Sequence, residues 1–498
     1  MESFWQNIPF FCILLCIASA SFTSVLPRRA ARALCVAVIL AVIVMGVALI
    51  GPIVRLGHPY TFMMGHFPAP WGNEIRVGLL EAVMAVVFPS IMLLSLLGGL
   101  NRFDEHIFED KQRFYYVMLE LLLAALLAQV YTNDLFTAYV FVEIMTLSAC
   151  SLITARSKGR TLSAATRYMI MNLMGSGLFL LGLVFLYGMT GHLLMSNIRE
   201  QVAQLASGGA YRDTLTVTVA LMSVGLAIKS ALFPFHTWLP DAYGYSTPTS
   251  SAVLSSLVSK GYIFLLIKIF YRVIGMDVIA ETRITDILFV FGLVGIIMGS
   301  LSAIREKDIR RMVSFSSVSQ IGYIYMGIGM GSEAGMVAAV FHILVHGMAK
   351  SMLFLASSGL VQVSGDSKFF RDLRGSGFRN PIAGLAFAVG SFSMVGIPFL
   401  GGFISKVYFA KAAMLMPPTA MLIVLLVLAA STILNTIYFL RTVITLYRPA
   451  VSEMPYEKPR LSPAFALSML CLIAVNFGLG TFSQPLIEAI RAGLRMFA

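Results

Sequence analysis

Apolar runs of about 20 residues recur from one end of this 498-residue chain to the other. That length matches the hydrocarbon core of a bilayer crossed as an α-helix. Few folds are open to such a chain, because backbone N–H and C=O groups in lipid must be paired within each segment. Only 12% of the residues are charged and 58% are hydrophobic, with a mean hydropathy of +0.85; a soluble domain is nearer a quarter charged. The sequence therefore specifies an all-α integral membrane protein. Its first run, Pro9–Leu26, has no basic stretch before it and an Arg-rich loop after it, so it reads as a retained helix rather than a cleaved signal peptide.

About fourteen transmembrane spans are expected. The first seven cover residues 8–26, 33–54, 77–99, 114–131, 135–153, 166–188 and 214–235. The second seven cover 249–271, 284–304, 309–329, 333–362, 381–412, 419–447 and 461–480. Basic residues test this count. Loops after odd-numbered spans hold 22 Lys and Arg, Lys458 and Arg460 among them; loops after even-numbered spans hold 7, Arg272 among them. The positive-inside rule then places the odd loops in the cytoplasm and both termini outside. The net charge of +12 is thereby explained by topology, and no nucleic-acid partner is implied. The outer segment 56–76 is expected to be an irregular or hairpin loop, and Pro485–Ala498 a short tail with no long surface helix after it.

Five lysines, Lys229, Lys260, Lys268, Lys350 and Lys406, sit inside these apolar spans. A charge at the bilayer centre costs at least about 2.5–3.5 kcal/mol, so such groups face a polar interior and mark an ion pathway. Two of them flank breaks. KSALFPFHTWLPDA starts at Lys229 and contains Pro234 and Pro240; GIPFLGGFISK starts at Gly396 and places Pro398, Gly401 and Gly402 ahead of Lys406. Paired breaks in corresponding spans are the pattern of inverted-repeat transporters. The breaks fall in spans 7 and 12. An offset of five is odd, so spans 4–8 and 9–13 would have inverted topology. No linker divides the chain, which reads as one polytopic domain, 1–498. Within it, 1–112 holds spans 1–3, 113–272 the first repeat, 284–448 the second, and 460–498 the last helix and tail.

Desolvation disfavours the charged form of an amine, and a neighbouring carboxylate favours it. A buried lysine beside a movable acid can therefore be loaded and unloaded with a proton. Glu143, mid-span in FVEIMTL, is the natural counterion for Lys229. Glu81 and Glu120 are also intramembrane on this count, each either a relay member or a locally paired acid. His342, His346 and Lys350 recur at i, i+4 and i+8 on one helical face. Two histidines at that spacing also suit a metal, but no acidic third ligand lies in the segment. Histidine relays protons through either ring nitrogen, and a relay fits better. Lys260 is a stronger relay candidate than Lys268, which stands nearer the helix end and within snorkelling reach of the interface. His236 either joins the relay or caps the broken helix. The hydroxyls of STPTSSAVLSSLVS, from Ser246, either hold water between Lys229 and Lys260 or permit close helix packing.

The five cysteines, Cys12, Cys16, Cys35, Cys150 and Cys471, all fall in apolar segments. They form no CxxC pair and no Cys/His cluster with zinc or iron–sulfur spacing. No metal, cofactor or disulfide framework is expected, and no nucleotide, flavin or iron–sulfur motif gives the chain a redox or catalytic site of its own.

KSALFPFHTWLPDA, STPTSSAVLSSLVSK, REKDIRRMVSFSSVSQIGYI, FHILVHGMAKSMLFL and GIPFLGGFISK together resemble the proton-conducting membrane transporter family, over about residues 100–450. That family comprises the antiporter-like subunits of respiratory complex I, the A- and D-type subunits of Mrp multisubunit sodium/proton antiporters, and subunits of membrane-bound group 4 hydrogenases. The resemblance implies fourteen helices, two inverted five-helix repeats and a hydrophilic central axis. Motif by motif, it makes Glu143 the glutamate of span 5, Lys229 the lysine of span 7 and Lys260 the bridging residue of span 8. His342, His346 and Lys350 become the relay of span 11, and Lys406 the terminal group of span 12. Protons would pass between Lys229 and Lys406 by way of Lys260, His346 and Lys350.

Three functions follow. The chain length and Lys406 favour an Mrp-D-like subunit of a multisubunit complex in the cell membrane, moving protons and exchanging them for sodium ions. The alternatives are a pumping module of complex I or a hydrogenase, and an energy-coupling partner of a nonredox membrane enzyme. Each implies other membrane subunits as partners.

Overall fold

The computed structural model describes residues 4–67, 72–156, 158–209, 211–449 and 462–497. Lys458 and Arg460 lie outside the described residues. Eleven helices among the described residues are long and apolar enough to cross a membrane. The N-terminal group is α1 (Ile8–Thr23), α2 (Arg28–Leu56) and α3 (Leu79–Gly99). Next come α4 (Glu109–Tyr131), α5 (Leu135–Thr154), α6 (Gly159–Thr190) and α7 (Arg212–Lys229). Then α8 (Leu239–Tyr245) leads into α9 (Pro248–Ile274). The rest are α10 (Ile284–Arg305), α11 (Ile309–Gly329), α12 (Glu333–Gln362), α13 (Pro381–Val395), α14 (Gly401–Ala413), α15 (Pro418–Leu446) and α16 (Pro463–Thr481). Three expected spans fall outside the eleven. The 18 residues of α7 include Arg212, Asp213 and Lys229, α11 is rich in serine, and 381–412 is divided into α13 and α14.

Side-chain caps fix several starts by accepting from the orphan amides of the first turn. Asp134 accepts from the Thr137 amide at 2.6 Å, Thr247 from Ser250 at 3.1 Å, Ser332 from Gly335 at 3.2 Å and Asn380 from Ala383 at 3.2 Å. Glycine sets the helix spacing at two contacts. A Cβ at Gly225 of α7 would lie 2.6 Å from the Gly175 carbonyl oxygen of α6, and one at Gly292 of α10 would lie 2.5 Å from the Met326 nitrogen of α11. Both are closer than any side chain allows, so each pair packs backbone to backbone.

The helices α9 and α12 are enclosed along their length, whereas α2, α10 and α15 expose Val44, Ile287, Leu422 and Ile433 at the perimeter. Lys260 and Lys268 on α9 and His342, His346 and Lys350 on α12 are therefore held away from the perimeter. Residues 212–245 do not run as one helix. α7 ends at Lys229, Ala231 takes φ +62°, and the Trp238 Nε1 donates to the Ile228 carbonyl at 3.2 Å. α13 and α14 are likewise separated, by a stretch in which Phe399 takes φ +70°.

One segment takes the hairpin alternative of the sequence expectation, and two differ from it in detail. The outer segment forms an antiparallel pair, β1 (Tyr60–Met63) and β2 (Glu74–Val77), with Tyr60 opposite Val77. The tail forms a 12-residue amphipathic helix, α17 (Gln484–Arg495), in which Gly493 packs against Leu80 and Arg495 bonds Glu333 at 3.2 Å. Arg272, expected in a loop, lies inside α9, which runs on to Ile274.

Candidate proton-relay site

Glu143 and Lys229 form an ion pair at 3.5 Å between α5 and the last residue of α7. Lys229 is fully buried, while the Glu143 side chain keeps 26% of its surface exposed. Ser176 of α6 donates to Glu143, and Lys229 donates to Thr146 Oγ1 at 2.9 Å. Thr146 Oγ1 lies 2.9 Å from the Tyr262 hydroxyl of α9, and the Lys229 ammonium stands 5.3 Å from the centre of the Tyr262 ring.

Lys260 stands two residues before Tyr262. A π-type turn, Leu254–Val258, precedes it, and its ammonium donates to the Ser255 carbonyl. Single π-type turns of this kind are frequent at functional sites. Ser255 Oγ meets Ser317 Oγ of α11 at 3.1 Å. The neighbouring Ser316 accepts from Lys350 of α12, which also donates to the Val313 carbonyl at 2.9 Å. Serines 316 and 317 thus join the α9 and α12 lysines.

On α12, the rings of His342 and His346 stack at 5.8 Å with an interplanar angle of 4°. Both ring nitrogens of His346 are buried without a hydrogen-bond partner in the protein, and the ring lies within electrostatic reach of Lys260 and Lys350. His342 Nδ1 pairs with Ser405 Oγ of α14 at 2.6 Å. The next residue, Lys406, donates to the Val395 carbonyl at 2.7 Å and to Thr432 Oγ1 at 2.8 Å. Its ammonium lies 5.9 Å from the Tyr323 ring, which stands 5.5 Å from His342. Among the described residues, no group of three or more His, Cys, Asp and Glu gathers as metal ligands, around His342 and His346 or elsewhere.

The structure thus brings Lys260, His346 and Lys350 within electrostatic reach of one another, with His342 between them and Lys406, and places the Glu143–Lys229 pair against Tyr262, two residues from Lys260, as one succession. The other candidates stand apart from it. Lys268 is fully buried rather than snorkelling, because its ammonium is held by three carbonyls at the end of α4: Gln129 at 3.1 Å, Val130 at 2.8 Å and Thr132 at 2.5 Å. Glu81 sits in the first turn of α3, accepting from the Gly78 amide at 3.0 Å and from Arg272 in an ion pair closed to solvent on both sides. The locally paired alternative describes it. Glu120 accepts from Thr23 of α1 at 3.1 Å, on the N-terminal side of the bundle. His236 stacks on Phe233 at 5.3 Å, and the end of α7, one of its two alternative places, is met by Trp238. Most hydroxyls of Ser246–Ser259 serve packing: Ser250 donates to the Leu152 carbonyl at 2.8 Å and Ser251 to the Tyr243 carbonyl at 2.6 Å.

The connecting groups were missed from sequence. Thr146 had a signal, since it lies at i+3 from Glu143 on one helical face. Ser316 and Ser317 stand in a serine run that marks no single partner. Tyr262, Tyr323 and Thr432 carry none, because only the packing of separate helices brings them to the lysines.

A family described as NADH:quinone oxidoreductase/Mrp antiporter, transmembrane region, matches residues 132–433. The NADH-quinone oxidoreductase subunit N of Desulforudis audaxviator is 32% identical over 97% of each chain. The D-type subunit of the Na(+)/H(+) antiporter of Alkalihalophilus pseudofirmus is 28% identical over 71% of this chain and 69% of its own. Among solved structures, a chain of the membrane-bound sulfane sulfur reductase, an archaeal respiratory membrane complex, superposes with a TM-score of 0.88 at 25% identity, covering 99% of this chain and 98% of that one. An all-α fold of membrane-spanning helices, a polar file along its buried helices and these likenesses agree: the chain belongs to the NADH:quinone oxidoreductase/Mrp antiporter family and is an antiporter-like membrane subunit of a multisubunit complex.

Proposed function

We propose that this subunit translocates protons, handing them along Glu143, Lys229, Lys260, His346, Lys350 and Lys406, with His342 beside the last step. The observation that supports this reading is the succession of buried groups. Lys229 bonds Thr146, which meets Tyr262 two residues from Lys260. The Ser255–Ser317 contact and Ser316 lie between Lys260 and Lys350, and His346 and His342 lie between Lys350 and Ser405, next to Lys406. Glu143 serves as the switch. When it approaches Lys229 it favours the ammonium, and when it withdraws the proton is released inward. The unpartnered nitrogens of His346 support a water-assisted step, because buried polar groups without partners are rare. The reading includes fourteen spans, inverted repeats over 113–272 and 284–448, residence in the cytoplasmic membrane and both termini outside.

Two parent complexes fit. Lys406 and the chain length support an Mrp-D-like antiporter that exchanges sodium ions for protons. The relative that spans 97% of both chains is a subunit of a quinone oxidoreductase, which supports a redox-driven parent. The test is the intact complex in sealed vesicles, assayed for proton and sodium flux with and without electron donors. Lys229→Ala is expected to abolish flux while the complex still assembles. Unchanged flux in that variant rejects the proposal, and flux that needs an electron donor selects the redox-driven parent.

A further inference from the structure

A second concentration of charge lies away from the relay, at the end of the bundle that carries the basic loops. A cavity of 390 Å³ opens there between the α3–α4 connection, the end of α5 and the loop after α12. Its lining includes Arg102, Arg156, Lys158, Arg310 and Lys368, together with His106. Only two carboxylates line it, Glu105 and Asp366, and both are bonded to Arg102, at 2.7 and 2.5 Å. Arg156, Lys158, Arg310 and Lys368 make no ion pair among the described residues.

Arg310 is the anchor of this cluster. It is 2% exposed, its Nη2 is fixed by the Ser246 carbonyl at 2.6 Å and Ser251 Oγ at 2.5 Å, and its Nε is buried without a partner. Arg156 likewise keeps a buried, unpartnered Nε. Lys368 is held by the Gly244 carbonyl at 3.0 Å. Burial and the repulsion of Arg310, Arg156 and Lys158 push it down to about 6, against the partial relief of Asp308. Burial and the same arginines, with Arg102, push His106 down to about 3. Such a surplus of cations is destabilising unless an anion joins it. A second cavity shares Arg156, Lys158, Asp366 and Lys368 with the first and leads outward past Arg160 and Tyr245.

We propose that this cavity binds a phosphate group, with Arg156, Lys158, Arg310 and Lys368 as its donors. Guanidinium groups suit phosphate oxygens because their N–H pairs match them in geometry as well as charge. Two sources present that chemistry at a membrane face: the headgroup of an anionic phospholipid and a free phosphate ion.

The test uses the intact complex in nanodiscs of phosphatidylcholine alone or with phosphatidylglycerol. Retained lipid is counted by native mass spectrometry, and binding of radiolabelled inorganic phosphate is measured in parallel. The Arg156→Gln/Lys158→Gln double variant is compared with Arg371→Gln/Arg374→Gln, which removes equal charge from the same end. The expected result is one saturable site weakened roughly tenfold by the first pair, as for the loss of a charge-assisted hydrogen bond, and untouched by the second. Competition by phosphatidylglycerol alone assigns the headgroup, and saturation by inorganic phosphate assigns the free ion. Equal weakening by both double variants, or no saturable site with either probe, overturns the proposal. Arg310 is kept out of the first variants because it also ties α11 to the carbonyls around α8.

Discussion

The ammonium of Lys406 donates to the main-chain carbonyl of Val395 at 2.7 Å, so the amine at the far end of the proposed relay also closes the broken end of α13. The last carbonyls of a helix have no partner within it, and in lipid an unmet one is costly. The break and the lysine therefore belong together: the interruption supplies an acceptor, and the acceptor holds the amine inside. Lys406→Ala is expected to lose both flux and about 1–3 kcal/mol of stability. Lys406→Arg is expected to recover the stability without the flux, since a guanidinium cannot release its proton. Thermal unfolding of the purified complex alongside vesicle flux separates the two losses.

Lys268 gives the opposite expectation. It fastens the α4 end through three carbonyls and touches no member of the file. Lys268→Met is expected to lower the unfolding temperature while leaving flux per assembled complex unchanged. A variant that folds normally yet loses transport would return Lys268 to the relay.

Arg272 and Glu81 form an ion pair enclosed on all sides, with Phe497 covering the guanidinium at 4.3 Å. Removing one partner from such a pair leaves a bare charge and costs about 3–5 kcal/mol. Arg272→Met is expected to destabilise the complex by that order. The Arg272→Met/Glu81→Gln double variant is expected to destabilise it less, and a double-mutant cycle measures the difference.

The pH response of the basic cavity follows from Lys368. Asp308, Arg310, Arg156, Lys158 and the Tyr245 ring surround it, and it is pushed down to about 6. It is thus neutral at pH 7.5 and charged at pH 5. An unfolded lysine holds its proton up to about 10.4, so this site contributes stability that rises with pH between about 6 and 10. Binding of a phosphodiester headgroup is expected to strengthen as pH falls through about 6, where Lys368 takes up its proton. His106, at about 3, stays neutral across that window. Titration of phosphatidylglycerol binding from pH 7.5 to 5 in Lys368→Gln is expected to be flat.

Much of this was legible in the sequence, for reasons specific to membranes. Lipid penalises a charge so heavily that the inward placement of Lys229, Lys260, Lys350 and Lys406 was legible from position alone, and the shared face of His342 and His346 from helical spacing. The same rule could not tell a relay amine from a structural one. Lys268 satisfies it equally well by closing α4, a contact between residues 136–139 positions apart. Arg272 was misplaced because an arginine near a helix end looks like a loop residue until its partner, Glu81, is seen. The hydroxyl bridges were illegible because serine and threonine are cheap to bury. Only the crossing of α9, α11 and α12 decides which of them meets an amine.

The most direct test cuts the file at its middle. With Lys260→Met in the intact complex, proton uptake into sealed vesicles is followed by a pH-sensitive dye. The file predicts an assembled complex whose uptake falls to the uncoupled background. Uptake at the unsubstituted rate would mean that protons cross by another path.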